Sequence, residues 1–458
     1  MTGTPGTTLT PDPSGERHAS WLELFFDLVA VAGVAQLAHL LSGEPGWRDV
    51  GLYIVLYLAF WTDWMSLTLY GNVAAERTRT RTLLLGMFGL TVMAAAVHGV
   101  QEGELGRAFA IAYVTTRALG SRVFGERREV LADWPTVSFT AGAVPWTVSI
   151  WVGGPARPWL WTLGVVIDLY VVFVFSRDRL LHNLAKRRQG RRQGRPEAAA
   201  SGDAASGDNA DTAPDTGLTV VHTDTEHLAE RLGLFTIIVL GEGVYQLVEA
   251  ASEAAEWNRE LFAAVTGAFA LLVLLWSQSL NRGRGGVPGL RHTTLPPRAL
   301  LGLHCFVTGA LAALAAGLGV VVEHADGRLP AQTGWLMAAG LGGYLLVGTL
   351  VEVVLTRRTG TGHPPSGLPR LLTAALPALA LCAATGATDG AYRHPLPLVW
   401  LLVLALAWFA YWTRGADSES RDKQQPEEAA RLPQVPRRGT DVGSHHRQPV
   451  TRARSHRC

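Results

Sequence analysis

The chain has 458 residues, of which 48% are hydrophobic and only 17% are charged. Soluble globular domains carry about 25% charged residues, so this composition argues against a water-soluble fold. The formal net charge of +2 indicates neither a nucleic-acid partner nor an acidic one. The three cysteines lack any metal-binding spacing, so neither a disulfide scaffold nor a zinc site is supported.

The first 20 residues are polar and rich in Thr, Pro and Gly, and we expect them to form a disordered cytoplasmic N-terminus. The apolar run that follows is long enough to span a membrane and has no small-residue cleavage site behind it. A secretory signal is therefore not indicated, and the first helix is expected to stay in the mature protein.

A helix needs about 20 residues to cross a bilayer core, and twelve apolar runs have about this length. The first six lie near 21–41, 50–70, 82–100, 105–124, 134–153 and 159–175. The second six lie near 231–249, 259–280, 299–322, 334–355, 370–387 and 395–412. The run at 105–124 is the weakest because Arg107, Arg117 and Arg122 fall in or beside it. We predict an all-α, polytopic transmembrane helical bundle of about 12 spanning helices.

Two long polar stretches divide the chain. Residues 176–220 begin with the basic block 186–195 and continue with Ala, Gly, Ser and Asp, a composition that buries too little apolar area to fold. We predict a disordered cytoplasmic linker there, between a first six-helix half at 21–175 and a second at 221–412. The tail at 413–458 is likewise predicted to be disordered and cytoplasmic. The basic block is expected to contact anionic lipid headgroups, at about 1 kcal/mol per residue near the surface.

Arginine and lysine are concentrated in alternate connectors. Three to eight of them occur in each of the connectors 71–81, 122–133, 176–220, 281–298 and 356–370. The connectors between these carry one each. Because basic loops stay on the cytoplasmic side, this alternation predicts that both termini and the linker are cytoplasmic.

The two halves resemble each other at their first helices. An ungapped alignment of 21–39 with 231–249 pairs Gly33 with Gly243, among several identical positions. It also pairs two glutamines. We predict a 6+6 internal repeat of parallel topology, as in transporters with two like-oriented halves.

Eight side chains in or near the predicted spans are candidates for function. A charged side chain at the bilayer centre costs about 2.5–3.5 kcal/mol on insertion scales, and such residues are often functional. The predicted intramembrane polar or transport site comprises Glu23, Asp27, Asp63, Arg117, Asp168, Glu242, Glu249 and His304.

Two roles are open for these side chains. One is a carboxylate relay or cation path, with Arg117 and His304 as counter-charges. The other is packing between helices through ion pairs and hydrogen bonds. Both roles stay open for Asp27, Asp168 and Glu242. We expect Asp27 and Glu242 to lie at matched depths in the two similar helices, and we hypothesise that both face a shared polar cavity between the halves.

The remaining carboxylates lie close to the ends of spans or at an ambiguous depth. For Glu23, Glu249 and Glu352, simple snorkelling to the interface is favoured. Asp63 faces either a water-filled cavity or the interface beside the linker, and the sequence does not favour one over the other.

Motifs for metal, cofactor or catalytic chemistry are missing. His222, Glu226 and His227 precede the seventh predicted span, but their spacing is not a metal-binding signature. The stretch Gly283-Arg284-Gly285-Gly286 lacks the strand, helix and acidic partner of a nucleotide loop. We therefore predict no metal, no cofactor, no catalytic residue and no enzymatic activity.

Two segments resemble the signatures of a known family. Residues 17–29, RHASWLELFFDLV, and residues 227–243, HLAERLGLFTIIVLGEG, are similar to those of the bacterial low-temperature-requirement protein A family. Weaker similarity occurs at Trp61-Thr62-Asp63-Trp64, around Arg117 and at Ile167-Asp168. The resemblance covers roughly residues 16–412.

The chain departs from this family pattern at three places. Asp63 stands where a small residue is expected, Gly243 replaces a Ser, and the central linker is unusually long. The resemblance implies an inner-membrane protein that is tied by name to growth in the cold, with no settled biochemical activity.

The leading functional hypothesis is a transporter- or channel-like protein for a small solute or ion, which uses the buried carboxylates. The alternative is a non-transporting membrane scaffold or sensor involved in cold adaptation. A membrane-embedded enzyme is least favoured because no nucleophile, base and metal set converges.

Overall fold

A computed structural model of the chain describes the residues in the ranges 20–74, 80–127, 129–131, 141–174, 219–221, 223–283, 297–358, 368–387 and 394–431. Backbone contacts divide the chain into two compact units, Met1–Thr413 and Arg414–Cys458. The predictions of disorder at 1–19, and over most of the linker and tail, fall outside the described residues.

Twelve α-helices lie within the described ranges. Before residue 175 they are α1 (Trp21–His39), α2 (Trp47–Ala74), α3 (Thr80–Glu102), α4 (Gly106–Arg127), α5 (Ala143–Val148) and α6 (Ala156–Val174). After residue 218 they are α7 (Thr225–Glu253), α8 (Arg259–Trp276), α9 (Pro297–Glu323), α10 (Ala331–Arg358), α11 (Leu368–Ala387) and α12 (Pro395–Arg431). The helix α8 ends in a π-helical turn, Ser277–Asn281.

Eight of these helices are long and apolar enough to cross a bilayer, among the residues that are described. They belong to α1, α2, α3, α7, α8, α9, α10 and α12. The helical character of the predicted bundle is confirmed, but the count of about 12 spans is not. The helix α4 is continuous from Gly106 to Arg127, but it is not apolar enough to count among the candidate spans, and arginines interrupt its apolar sequence. The predicted span at 134–153 contains, in its described part, the six-residue helix α5.

A short parallel sheet of two strands was not predicted. The strand β1 (Glu129–Leu131) pairs with β2 (Thr219–Val221), with Val130 opposite Val220. The first two residues of β2 lie inside the range predicted as a disordered linker, so the end of that range is ordered. Three consecutive β-favouring residues, Thr-Val-Val, explain the strand at this position.

The last helix also continues past the predicted end of its span at residue 412. We predicted that the tail is disordered from residue 413, but α12 continues to Arg431. The added segment is rich in Ala, Glu, Gln, Lys and Arg. These residues favour helix strongly, which outweighs the unfavourable Gly415 and Pro426 in the same segment.

The helix α9 lies at the centre of the first unit. It contacts helices from both sides of the linker, namely α1, α2, α6, α7, α8 and α10. Small residues permit this close packing, since Gly309 lies against the ring of Tyr57 and Gly317 against Met337. The described helices up to residue 413 therefore belong to one compact unit, and the 6+6 repeat stays a prediction.

Candidate functional site

Capped helix starts place the first charged residues. The side chain of Ser20 accepts a hydrogen bond from the backbone of Glu23, and the Glu23 carboxylate accepts one from the Ser20 backbone at 2.8 Å. This reciprocal arrangement is a capping box. At the start of α7, Asp224 caps the backbone amides of Glu226 and His227. The two caps fix the residues at which α1 and α7 begin, and therefore which side chains lie in their first turns.

A buried ion pair joins α1 to α7. The guanidinium of Arg231 donates to both carboxylate oxygens of Asp27, from Nε at 2.9 Å and from Nη2 at 2.5 Å. Bidentate pairs of this kind are the strongest and most directional hydrogen bonds that charged side chains form. Both side chains are almost fully buried, so the pair lies away from bulk solvent.

A second carboxylate shares the same arginine. Arg231 Nη1 lies 3.6 Å from Glu23 Oε1, and His227 Nε2 lies 3.6 Å from Glu23 Oε2. Glu23 and Asp27 are four residues apart on α1, while His227 and Arg231 are four apart on α7, so each pair lies on one helical face. We call these four residues the Arg231 cluster.

The helix α2 supports the Arg231 cluster at two levels. The indole of Trp64 donates to Asp27 Oδ1 at 2.9 Å. Nearer the end of α2, the amide of Asn72 contacts His227 Nδ1 at 3.1 Å and exchanges hydrogen bonds with the backbone of Asp224. Three helices therefore converge on the cluster at the end of the bundle where α1 and α7 begin.

A second buried cluster lies between α2, α4 and α6. Arg117 Nη2 lies 3.2 Å from Asp168 Oδ2, and Arg117 Nη1 donates to Ser66 Oγ at 3.3 Å. The hydroxyl of Tyr113 donates to the same oxygen of Asp168 at 3.4 Å. The pairing of Arg117 with Asp168 agrees with the counter-charge expected for Arg117.

Asp63 completes this second cluster without a hydrogen bond of its own. It is 0% exposed, and among the described residues neither carboxylate oxygen has a hydrogen-bond partner. It interacts electrostatically with Arg117 and Asp168. We call Asp63, Arg117 and Asp168 the Arg117 cluster. Its formal charge is −1 with all three groups ionised, from two carboxylates and one guanidinium.

His304 has a different environment from the one expected. It lies among the rings of Trp61, Trp64 and Phe235, with centroid distances of 6.1, 6.2 and 5.7 Å. Its Nε2 is 3.1 Å from the backbone oxygen of Leu232. Among the described residues His304 pairs with no carboxylate, so the cation beside Asp27 is Arg231 and not His304.

Glu242 and Glu249 lie outside both clusters. Glu242 accepts a hydrogen bond from Gln246 at 2.7 Å, and Glu249 accepts one from Tyr245 at 3.4 Å near the surface. Glu242 follows Arg231 by eleven residues, about 16 Å along α7 at the usual helical rise. Since Arg231 lies beside Asp27, the expectation of matched depths for Asp27 and Glu242 is wrong.

Sequence reasoning missed Arg231 as a site residue. The predicted seventh span began at this residue, which placed it at the membrane surface, whereas α7 begins at Thr225. A usable signal was present, because His227 and Arg231 share the i, i+4 spacing of Glu23 and Asp27.

A family model described as "Bacterial low temperature requirement A protein (LtrA)" matches residues 18–407. The chain belongs to the LtrA family. A curated relative, an uncharacterized protein of Rhizobium meliloti (strain 1021), is 26% identical over 242 residues. That match spans about half of each chain, 52% in both cases. No solved structure matches the chain.

The LtrA match contains both clusters. The two segments that resembled the family signatures contribute two residues each to the Arg231 cluster, Glu23 and Asp27 from the first, His227 and Arg231 from the second. Segments separated by about two hundred positions in this LtrA chain are thus joined by direct ion pairs.

Proposed function

We propose that this chain moves a proton or a small cation across the membrane, with Asp63 of the Arg117 cluster as the group that binds it. The observation that supports the proposal is the buried Asp63 carboxylate, which has no hydrogen-bond partner among the described residues. A buried carboxylate in this condition is strongly destabilised unless it takes up a proton or a counter-ion.

The charge balance of the Arg117 cluster defines what would bind. Arg117 pairs with Asp168 and cannot fully neutralise both carboxylates. One further unit of positive charge brings the cluster to zero. A proton or a monovalent cation supplies that unit, whereas a divalent cation would leave an excess of positive charge.

The neighbouring groups would hold the two charged residues beside Asp63 in place. Ser66 and Tyr113 fix Arg117 and Asp168 through hydrogen bonds, so the position of the positive charge beside Asp63 is set by three helices. The Arg231 cluster, whose Asp27 carboxylate is paired on both oxygens, would serve to hold α1 against α7 during transport.

The test is ion flux into liposomes that contain the purified full-length chain, with dyes for protons and for alkali cations. We expect Asp63→Asn to reduce the flux to background, because it removes the acceptor charge and keeps the shape. Glu253→Gln, which neutralises an exposed carboxylate at the end of α7, is the matched control and should transport normally.

Two outcomes would reject the proposal. If the wild-type chain moves no ion in the panel, a non-transporting scaffold or sensor role in the cold is favoured instead. If Asp63→Asn transports as well as the wild type, the ion uses another path.

We also propose a location in the bacterial inner membrane, with both termini and the linker in the cytoplasm. The support is the alternation of basic connectors along the sequence. On this placement the Arg231 cluster lies towards the cytoplasmic side, and the basic block 186–195 is close to anionic lipid headgroups.

A further inference from the structure

The end of the bundle opposite the Arg231 cluster contains a large open cavity. It has a volume of about 870 Å³ and is lined by the starts of α2, α4 and α6 and the end of α3. Ligand sites commonly range from about 300 to 1,000 Å³, so the cavity is large enough for an amphiphile with a polar head and part of an apolar body.

The walls of this cavity combine apolar surface with two arginines. Trp47, Trp159 and Trp161 line it together with Arg48 and Arg157. No acidic side chain is among the lining residues, and within the described ranges neither arginine forms an ion pair. Two arginines without an ion-pair partner, set against an apolar wall, are complementary to an anion that carries hydrophobic groups.

The donors of Arg157 are oriented by the protein. Its Nε donates to the backbone oxygens of Ser149 and Val152, both at 3.2 Å. This leaves the two terminal nitrogens without a hydrogen-bond partner among the described residues. The guanidinium is therefore fixed at one edge and keeps its other donors for a ligand.

Helix dipoles favour an anion at the same place. The first residues of α2, α4 and α6 all lie at the cavity, and the N-terminus of a helix carries a partial positive charge. The first turns of α4 and α6 contain no acidic residue that would offset this charge. The first turn of α2 contains Asp49, whose carboxylate accepts hydrogen bonds from the Gly46 backbone and from Gln101.

The exposed tryptophans place the cavity at the membrane surface. Trp47 is 87% exposed and Trp159 is 75% exposed in the structure, and tryptophan is enriched where hydrocarbon meets headgroups. From the cavity, its arginines and this position, we propose that it binds a phospholipid with an anionic headgroup, whose phosphate contacts Arg48 and Arg157. None of the lining residues belongs to the basic block of the linker, and the proposal does not depend on transport.

The test is native mass spectrometry of the purified full-length chain, titrated with short-chain phosphatidylglycerol, phosphatidylcholine and inorganic phosphate. We expect saturable binding of phosphatidylglycerol, weaker binding of phosphatidylcholine and little binding of phosphate alone. Arg48→Gln should weaken the affinity for phosphatidylglycerol about fivefold. This corresponds to a loss of about 1 kcal/mol of binding free energy for one basic residue near the surface.

Two further variants separate the effect of charge on lipid binding from the effect of cavity volume. A Cβ on Gly51, which lines the cavity, would meet nothing within 4 Å, so Gly51→Phe should place its ring in part of the cavity, keep the fold and weaken lipid binding. Arg107→Gln removes an exposed positive charge at the same end outside the lining and should bind normally.

Several results would overturn the proposal. They are equal binding of the two lipids, competition by inorganic phosphate as strong as that by lipid, or wild-type affinity in both Arg48→Gln and Gly51→Phe. Arg157→Gln is a poorer test, since it also removes hydrogen bonds to two backbone oxygens.

Discussion

Replacement of Arg231 should destabilise the fold more than replacement of either carboxylate that it contacts. Arg231→Met leaves Asp27 buried without its counter-charge and leaves Glu23 with His227 as its remaining basic neighbour. Removing one partner of a buried ion pair costs about 3–5 kcal/mol. Asp27→Asn keeps the side chain in place and leaves Arg231 next to Glu23, so the loss is closer to that of one charged hydrogen bond, about 1.5–3 kcal/mol.

The double variant Asp27→Asn, Arg231→Met measures the coupling directly. Once Arg231 is gone, a neutral side chain at position 27 is less costly than a carboxylate. We therefore expect the double variant to lose less than the sum of the two single variants, with a coupling of about 0.5–3 kcal/mol. The assay is equilibrium unfolding in detergent and denaturing surfactant, with the exposed Arg107→Met as control. Strictly additive losses would refute the view that the two residues act as a pair.

Two other features give direct tests. A Cβ on Gly33 would overlap the ring of Phe60, so Gly33→Ala should lower the free energy of unfolding by about 1–3 kcal/mol in the same assay. The control is Gly241→Ala in α7, where the added methyl group meets open space and should be neutral or slightly stabilising. Equal losses of stability in the two variants would contradict the packing argument. Reporter fusions at Gly202 and after Gly415 should both read cytoplasmic, and an external signal from either would invalidate the proposed orientation.

Much of the helical architecture is predictable from the sequence because long apolar runs have one physical solution in a bilayer. The runs at 21–41 and 50–70 correspond to α1 and α2, and Ser20 before Glu23 gives the start of α1. The number of spans is harder to predict. A run such as 105–124 has helical length, yet its arginines leave open whether lipid or other helices surround it.

The pairing inside the site is not predictable in the same way. Asp27 is identifiable as a buried charge from its position in an apolar run, but its partner lies 204 residues away along the chain. Only the packing of α1 against α7 brings Arg231 to it. The same holds for Asp63, since its lack of a hydrogen-bond partner among the described residues depends on how three helices pack around it.

The central position of α9 has a consequence for its tolerance to substitution. An ordinary membrane helix has one side that faces lipid, where apolar residues of different size are exchangeable. The helix α9 is enclosed by six others, and 89% of its spanning window is buried. The volume of its side chains is therefore constrained on every side of the helix. A deep mutational scan should find sensitivity at nearly every position of α9, without the helical periodicity that half-exposed helices such as α10 will show.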